Sequence, residues 1–194
     1  MGTIRLYMSI SLDGYVAGPR DDAENPMGVG GFRLFDWLDG RNGPGVNGQV
    51  YAEATATRGI ISGRRTFELA GRWNGDHHDG VPILVLTHDV PAEPPPGSAR
   101  YFTDVHECAA AARAAAGDGD VMVHGAGAAQ ALLRAGELDE LELHVVPVLL
   151  GQGRRLFDDL PPEHVELDLV RQLIADDAPP EQRVMHLRYR VRRG

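Results

Sequence analysis

The 194-residue sequence predicts a three-layer α/β fold in which helices flank a mixed, mostly parallel sheet. Short apolar runs alternate with helix-forming segments between residues 3 and 135, as in strand–helix–strand units. The runs at residues 81–87 (VPILVLT) and 121–123 (VMV) are continuously apolar, which is typical of strands buried on both faces. After residue 138 period-two segments dominate, and the last two predict a C-terminal antiparallel hairpin.

The first predicted strand covers residues 3–12 (TIRLYMSISL) and ends at the Asp13–Gly14 turn signal. Residues 20–48 are rich in glycine, asparagine, aspartate and proline, and they predict a long loop. Such a loop is often a lid or a binding loop. The alternative, which we favour for most of its length, is a surface segment whose aromatic cluster packs on the core or on a second subunit. That cluster contains Phe32, Leu34, Phe35, Trp37 and Leu38.

The middle of the chain alternates between predicted helices and strands. Helices are expected at residues 50–58 and 106–116, and a turn opens a short helix at 63–68. Strands are expected at 59–62, 81–87 and 98–103, and four prolines predict a loop at 88–97. The strand at 121–123 continues through a glycine turn into a helix that ends near residue 135.

The last part of the chain predicts strands and turns. Residues 138–150 form a long strand, in which Pro147 indicates a bend or bulge. A turn at 151–153 and a short connection at 154–160 follow, and residues 165–174 and 183–191 form the hairpin. Because no repeat or domain boundary is visible, we expect one domain over residues 1–194.

Composition limits the possible functions. There are 19 basic and 28 acidic residues, and the resulting net charge of -9 argues against nonspecific binding to nucleic acid or anionic membranes, although a local basic pocket remains compatible. The single cysteine, Cys108, excludes a disulfide framework. There is no signal-peptide pattern and no apolar run of membrane-spanning length, so we expect a soluble cytoplasmic protein.

Three predicted strand-to-loop junctions carry groups suited to phosphate. The first combines glycine, two guanidinium groups and a hydroxyl in Gly63, Arg64, Arg65 and Thr66. The second is Thr87–His88. The third is a glycine-rich helix start that contains Gly125, Ala126, Gly127, Ala128 and Ala129.

These junctions favour a dinucleotide with an extra phosphate, because ligands of open α/β sheets bind beyond the carboxyl ends of the strands. Two alternatives stay open. Arg64 and Arg65 could be solvated surface charges, and residues 121–133 could be a plain strand-to-helix turn, since two glycines make a weak fingerprint.

Several other polar residues are candidates for chemistry. Asp13 follows the first strand and could lie at a cleft edge or could cap a turn. His124 ends a strand, where it could bind substrate or satisfy a backbone group. Adjacent His77 and His78 resemble metal ligands, but no further convergent ligands are visible, so no metal site is predicted.

The chain contains a set of motifs, namely SLDGYVA (11–17), GRRTFE (63–68), VMVHGAGAAQALL (121–133) and LDEL (138–141), followed by Pro147, GQG (151–153) and Leu156–Phe157. Together they resemble the dihydrofolate-reductase-like superfamily. The chain is most similar to the reductase domain at the C-terminus of bifunctional riboflavin-biosynthesis deaminase-reductases. That resemblance implies a dihydrofolate-reductase-like fold, an NADPH site, hydride transfer to a small heterocyclic or carbonyl substrate, and a homodimer.

The resemblance also implies roles for particular residues. Residues 63–66 and Thr87–His88 would hold the adenosine side with its 2′-phosphate, and residues 125–129 the pyrophosphate. Ser9, Val16 and Ala17 would line the nicotinamide, and Asp13 would donate a proton through a water molecule.

Two departures bear on the substrate. Tyr15 and His124 stand where riboflavin-pathway reductases commonly carry lysine and glutamate, and both are expected near the substrate. These departures argue against the ribosylated pyrimidine substrate of that pathway. The leading hypothesis is an NADPH-dependent reductase with a pterin-like, pyrimidine-like or carbonyl substrate. Two alternatives to a reductase remain, namely a non-catalytic NADP(H)- or nucleotide-binding protein with a sensing role and a structural dimeric module.

Overall fold

The protein is described from a computed structural model that covers residues 2–93, 97, 99–158, 160 and 164–193. Residues 94–96 of the predicted proline-rich loop, Ser98 at the start of a predicted strand and residue 159 of the predicted connection lie outside the described residues.

An eight-stranded mixed sheet forms the middle of the molecule and confirms the predicted fold class. The strands are β1 Ile4–Ser11, β2 Tyr15–Ala17, β3 Gly59–Gly63, β4 Ile83–Leu86, β5 Arg100–Phe102, β6 Val121–His124, β7 Glu140–Val146, β8 Arg154–Arg155, β9 Leu167–Ile174 and β10 Met185–Val191. Those of the sheet lie in the order β5-β4-β3-β6-β1-β7-β10-β9, and the first six in this order are mutually parallel. Strand β10 is antiparallel to both β7 and β9, which gives the predicted hairpin. The short strands β2 and β8 pair separately.

Helices cover both faces of this sheet. They are α1 Val46–Thr55, α2 Arg64–Leu69, α3 Val105–Ala116 and α4 Ala126–Arg134, with 3-10 helices at Gly31–Gly40, Gly71–Gly75 and Pro180–Gln182. No helix in the described part of the chain is long and apolar enough to cross a membrane.

The packing on the two faces of the sheet follows from period-two alternation in the strands. Ile4, Leu6 and Val123 face α3 and α4, whose buried alanines let the helices approach the sheet closely. Ile60 and Met122 face the opposite side, where α1 packs. The alternation therefore places Tyr7 and Ser9 of β1 on the α1 side of the sheet.

Some predicted boundaries are wrong. Helix α1 begins at Val46 rather than at residue 50, and a ten-residue 3-10 helix lies within the predicted loop at 20–48. Leu34 and Trp37 of that helix are buried, as the core-packing interpretation predicted. Strand β7 ends at Val146 because Pro147 has no N–H to continue the ladder.

Strands β1, β3, β4, β6 and β7 all end at the same edge of the sheet, because they are parallel. Loops and helix starts diverge from that edge and leave a concavity between them. This edge is where the predicted site residues converge.

Candidate functional site

A large cleft of about 1210 Å³ runs along this edge from β4 to β7. At one end, which we call the phosphate end, the cleft is lined by the residues that follow β3, β4 and β6. At the other end, which we call the aromatic compartment, it is lined by Tyr7, Phe35, Trp37, Tyr51 and His144. The volume is ample for a nucleotide and a small second ligand.

The Gly63–Thr66 junction lines the phosphate end, with β3 ending at Gly63 and α2 beginning at Arg64. The Arg64 guanidinium donates hydrogen bonds to Glu68 Oε1 at 2.8 Å and to the Asp89 carbonyl at 3.1 Å. These bonds hold the guanidinium group beside the cleft. The hydrogen bond to Glu68 raises the pKa of Arg64 above its ordinary value. An anchored guanidinium is suited to bidentate phosphate binding.

The glycine turn before α4 touches this first junction. Gly125 has a φ of +95°, and a Cβ added there would lie 2.4 Å from Thr66 Oγ1, so only glycine fits. A Cβ added at Gly127 would meet nothing within 4 Å, which leaves open space above the helix start. Residues 125–128 line the cleft, and α4 has no side-chain cap on its first N–H groups.

Ala129 is the one residue of this junction that the cleft does not reach. It is fully buried, and its N–H donates to the Gly125 carbonyl at 3.0 Å. Its amide is therefore already used inside the helix.

Thr87 and His88 also line the phosphate end. Thr87 Oγ1 donates to the Asp89 carbonyl at 3.0 Å and closes a tight turn after β4. All three predicted junctions thus lie along one wall of one cleft, which is what binding of a single extended, phosphate-rich ligand requires.

An ion-pair bridge that was not predicted from the sequence lines the cleft near these junctions. Asp21 accepts hydrogen bonds from Arg65 Nε at 3.2 Å and from Arg154 Nε at 2.9 Å. Partial burial alone would raise the pKa of Asp21, but the two arginines hold it below its ordinary value. The bridge links α2 to the β2–β8 pair.

Ser9, Val16 and Ala17, which were expected at the nicotinamide, lie between the two ends of the cleft. Ser9 Oγ accepts a hydrogen bond from Trp37 Nε1 at 2.9 Å. Val16 and Ala17 belong to β2 and are nearly buried. They form a flat apolar surface beside β1.

Asp13 lies outside the cleft lining and is engaged by its own turn. Its carboxylate accepts hydrogen bonds from Ser11 Oγ at 2.6 Å, Leu150 N at 3.1 Å and Gly151 N at 2.7 Å. The bond from Ser11 is the main reason that the pKa of Asp13 lies below its ordinary value. This geometry favours the turn-capping alternative, and the proton-donor role stays a prediction.

Tyr15 also lies outside the cleft lining. The Arg155 guanidinium carbon stands 4.7 Å from the centre of its ring, and Arg155 Nη2 donates to its hydroxyl at 3.0 Å. The Tyr15 hydroxyl donates in turn to the Gly151 carbonyl at 3.3 Å. Its ring and hydroxyl are thus engaged by Arg155 and Gly151, and its contact with substrate stays a prediction.

His124 lines the cleft and is part of a row of three imidazoles. Its Nε2 lies 3.0 Å from His77 Nε2, and the two Nδ1 atoms of His77 and His78 are 2.7 Å apart. Burial lowers the pKa of His124 to about 3 and that of His77 to about 4, so both rings are neutral at physiological pH. Among the residues that the structure describes, no set of three or more histidine, cysteine or carboxylate side chains is arranged to hold a metal ion.

The aromatic compartment was not predicted from the sequence. The His144 ring centre is 4.2 Å from that of Tyr7 and 4.6 Å from that of Trp37. The one sign of it in the sequence is that His144 lies inside the otherwise apolar run LHVVPVLL. That His144 faces the cleft follows only from the pairing of β1 with β7, in which Ser9 stands opposite His144.

The sheet order and the cleft at its carboxyl edge are those of the dihydrofolate-reductase-like class of fold. The chain belongs to the RibD C-terminal domain family, whose model matches residues 2–176. No curated protein matches the chain at a significant level.

Solved structures support the same fold. A protein from Shewanella sp. PV-4, provisionally assigned to riboflavin biosynthesis, superposes with a TM-score of 0.73 at 22% identity and full coverage of both chains. Dihydrofolate reductase from Enterococcus faecalis, in complex with NADP(H) and RAB-propyl, superposes with a TM-score of 0.64 at 13% identity, over 99% of this chain and 98% of that one.

Proposed function

We propose that this protein, as one domain over residues 1–194, is an NADPH-dependent reductase that transfers a hydride to a small heterocyclic or carbonyl substrate. The observation that carries the proposal is the alignment of three phosphate-suited junctions along one wall of the cleft, with an aromatic compartment at its far end. Membership of the RibD C-terminal family and the fold of an NADP(H)-binding dihydrofolate reductase support the same activity.

The residues present fit NADPH. Arg64 and Arg65 would hold the 2′-phosphate with Thr66, Thr87 and His88 beside them, and the open space above Gly127 would admit the pyrophosphate. Ser9, Val16 and Ala17 would position the nicotinamide against the compartment. NADPH supplies the hydride when it is bound. The aromatic walls would exclude water and orient the acceptor.

The substrate proposed for this site is pterin-like, pyrimidine-like or a carbonyl compound, by analogy with 5-amino-6-(5-phosphoribosylamino)uracil reductase. The protonation step is proposed for Asp13 through a water molecule. An Asp13→Asn variant tests that step. A loss of turnover of about 100-fold with unchanged NADPH affinity would assign the donor role to Asp13. A lower melting temperature with turnover within about threefold of wild type would assign Asp13 to the turn alone.

A second candidate is an NADP(H)-binding protein without turnover, used for sensing. It is favoured by one observation, the lack of any carboxyl, lysine or arginine group among the described residues that line the aromatic compartment. Such a compartment could hold a ligand without supplying a proton to it. Binding without turnover would then be the expected behaviour.

Titration with NADPH and NADH is the first experiment. The two tryptophans, Trp37 and Trp73, both line the cleft, so their fluorescence should report cofactor binding directly. We expect NADPH to bind at least about tenfold more tightly than NADH and to raise the melting temperature more. If neither binds, the proposal is wrong. If NADPH binds but no pterin, pyrimidine or carbonyl compound oxidises it, the second candidate gains support.

A further inference from the structure

The charge along the cleft is distributed unevenly. The charged residues that line the described cleft come from α2, α4, β8 and the loops after β2, β4 and β5. None of them comes from β1, the Gly31–Gly40 helix, α1 or β7, which together form the aromatic compartment. This end therefore offers an anionic group no opposite charge, because the His144 ring is neutral.

His144 has one ring nitrogen without a partner. The residue is fully buried, lines the cleft, and its Nε2 makes no hydrogen bond with any described residue. Buried polar atoms are nearly always hydrogen-bonded, so this nitrogen, in the wall of a cleft, is available to a group of a bound ligand.

The neighbouring hydrogen bonds fix which kind of group His144 Nε2 can bind. Asn47 Nδ2 donates to the Gln182 carbonyl at 3.1 Å, so Asn47 Oδ1 accepts from His186 Nε2 at 3.0 Å. His186 Nδ1 then carries no proton, and its lone pair accepts a hydrogen bond from His144 Nδ1 at 2.8 Å. With its proton on Nδ1, His144 has a bare lone pair on Nε2.

Both rings remain neutral at physiological pH. Burial and the opposing imidazole hold the pKa of His144 well below its ordinary value, and burial lowers that of His186 to about 4. Arg171 and Arg188 on the neighbouring strands oppose protonation of His144 further. His144 Nε2 is therefore an acceptor that cannot readily become a donor.

We propose that the aromatic compartment selects an uncharged, flat ligand without phosphate, which donates one N–H or O–H hydrogen bond to His144 Nε2. Tyr7 and Trp37 flank the acceptor on two sides and would contact the ring of such a ligand. The inference rests on the proposed function, because it names the class of substrate that would lie beyond the nicotinamide. A phosphoribosyl compound does not belong to this class.

Matched ring compounds test the hydrogen bond. Lumazine carries N–H donors, and 1,3-dimethyllumazine has the same ring system without them. We expect lumazine to bind wild-type protein about 10- to 100-fold more tightly than its dimethyl analogue, measured by calorimetry below neutral pH with saturating NADP⁺. Equal affinity for the two, or no binding of either, overturns the proposal whatever the variants do.

A pair of variants separates the hydrogen bond from the bulk of the methyl groups. His144→Phe should reduce the preference to within about twofold, and His144→Gln, which retains an acceptor, should keep a larger preference. A preference that survives unchanged in a folded His144→Phe protein overturns the assignment to Nε2.

Inorganic phosphate tests the charge argument in the same protein. Phosphate should compete with NADPH for the phosphate end and leave the affinity for lumazine unchanged. If phosphate competes with lumazine, the claim that the aromatic compartment excludes phosphate is overturned. Direct NADPH titration keeps the two proposals distinct. If NADPH binds but lumazine is not preferred over its dimethyl analogue, only the proposed ligand class is refuted. If the protein does not bind NADPH but still prefers lumazine when no nucleotide is present, only the reductase assignment is refuted.

Discussion

Arg64 and Arg65 distinguish NADPH from NADH in the proposed site, because only NADPH carries the 2′-phosphate that they would bind. We expect the double variant Arg64→Ala/Arg65→Ala to weaken NADPH binding by about 10- to 100-fold and NADH binding by less than about threefold. Arg41→Ala, which removes an exposed arginine outside the cleft lining, is the control. If the affinities for both cofactors fall equally, Arg64 and Arg65 do not bind the 2′-phosphate.

Gly125 and Gly127 form a matched pair of tests at the start of α4. Gly125→Ala should lower the free energy of unfolding by about 1–3 kcal/mol, because the residue has a positive φ and its new Cβ would collide with Thr66. Gly127→Ala should leave folding unchanged or slightly more stable, because its new Cβ meets nothing within 4 Å.

The same pair also tests the pyrophosphate position. The methyl group of Gly127→Ala would occupy space that the proposed pyrophosphate needs, so NADPH affinity should fall by about tenfold in a protein that folds normally. Urea denaturation and tryptophan fluorescence titration measure the two effects separately. Full NADPH affinity in Gly127→Ala would place the pyrophosphate elsewhere.

Among the structural elements, the paired strands β7 and β10 carry buried imidazoles that should make stability depend on pH. In the folded protein the pKa of His186 is about 4, below the ordinary value of 6.5. Between these two values the unfolded chain binds a proton that the folded chain does not, so folding is weakened as the pH falls through this window. His144, whose pKa is also lowered, acts in the same direction.

We therefore expect the free energy of unfolding to fall between about pH 6.5 and pH 4.5, with a contribution of up to about 3 kcal/mol from His186 alone. Urea denaturation at intervals of pH measures it. In His186→Gln the free energy of unfolding should be lower at neutral pH but should change less with pH across the same range. A wild-type curve that stays flat from about pH 7 to pH 5 would contradict the neutral, buried state of these rings.

The elements that sequence predicted are those whose pattern is local. Strand β1 and the β9–β10 hairpin follow from runs of β-forming residues and period two, and α3 follows from its alanine-rich composition. Its Asp104 cap, which accepts from Glu107 N at 2.9 Å, was not predicted. The Gly31–Gly40 helix was missed because its own residues favour turns, and burial of Leu34 and Trp37 stabilises it. The β2–β8 pair was missed because it joins segments far apart in sequence.

At the scale of the whole molecule, the phosphate end was predictable and the aromatic compartment was not. Each phosphate-suited junction is a continuous stretch at a strand end, and parallel strands bring those ends to one edge. The compartment combines Tyr7, Trp37 and His144 from three distant segments, so it depends on strand order and register. The Asp21 bridge is likewise made only by tertiary contact.

Strand β9 ends the sheet, and its exposed apolar side chains form a surface suited to the expected homodimer. Leu169 and Ile174 are 55% and 54% exposed, and Met185, which pairs with Ile174, is 40% exposed. An apolar edge strand left open to water would favour association with another strand or surface. A second copy of the chain would cover it.

We expect the wild-type protein to behave as a dimer in size-exclusion chromatography with light scattering, and Leu169→Asp/Ile174→Asp to behave as a folded monomer. Two charges placed in an apolar interface carry a desolvation cost that a dimer of ordinary interface size cannot offset. Val90→Asp, which changes an exposed residue after β4 on the other side of the sheet, should remain dimeric. A wild-type monomer would refute the homodimer, and a double variant that stays dimeric would move the interface away from β9.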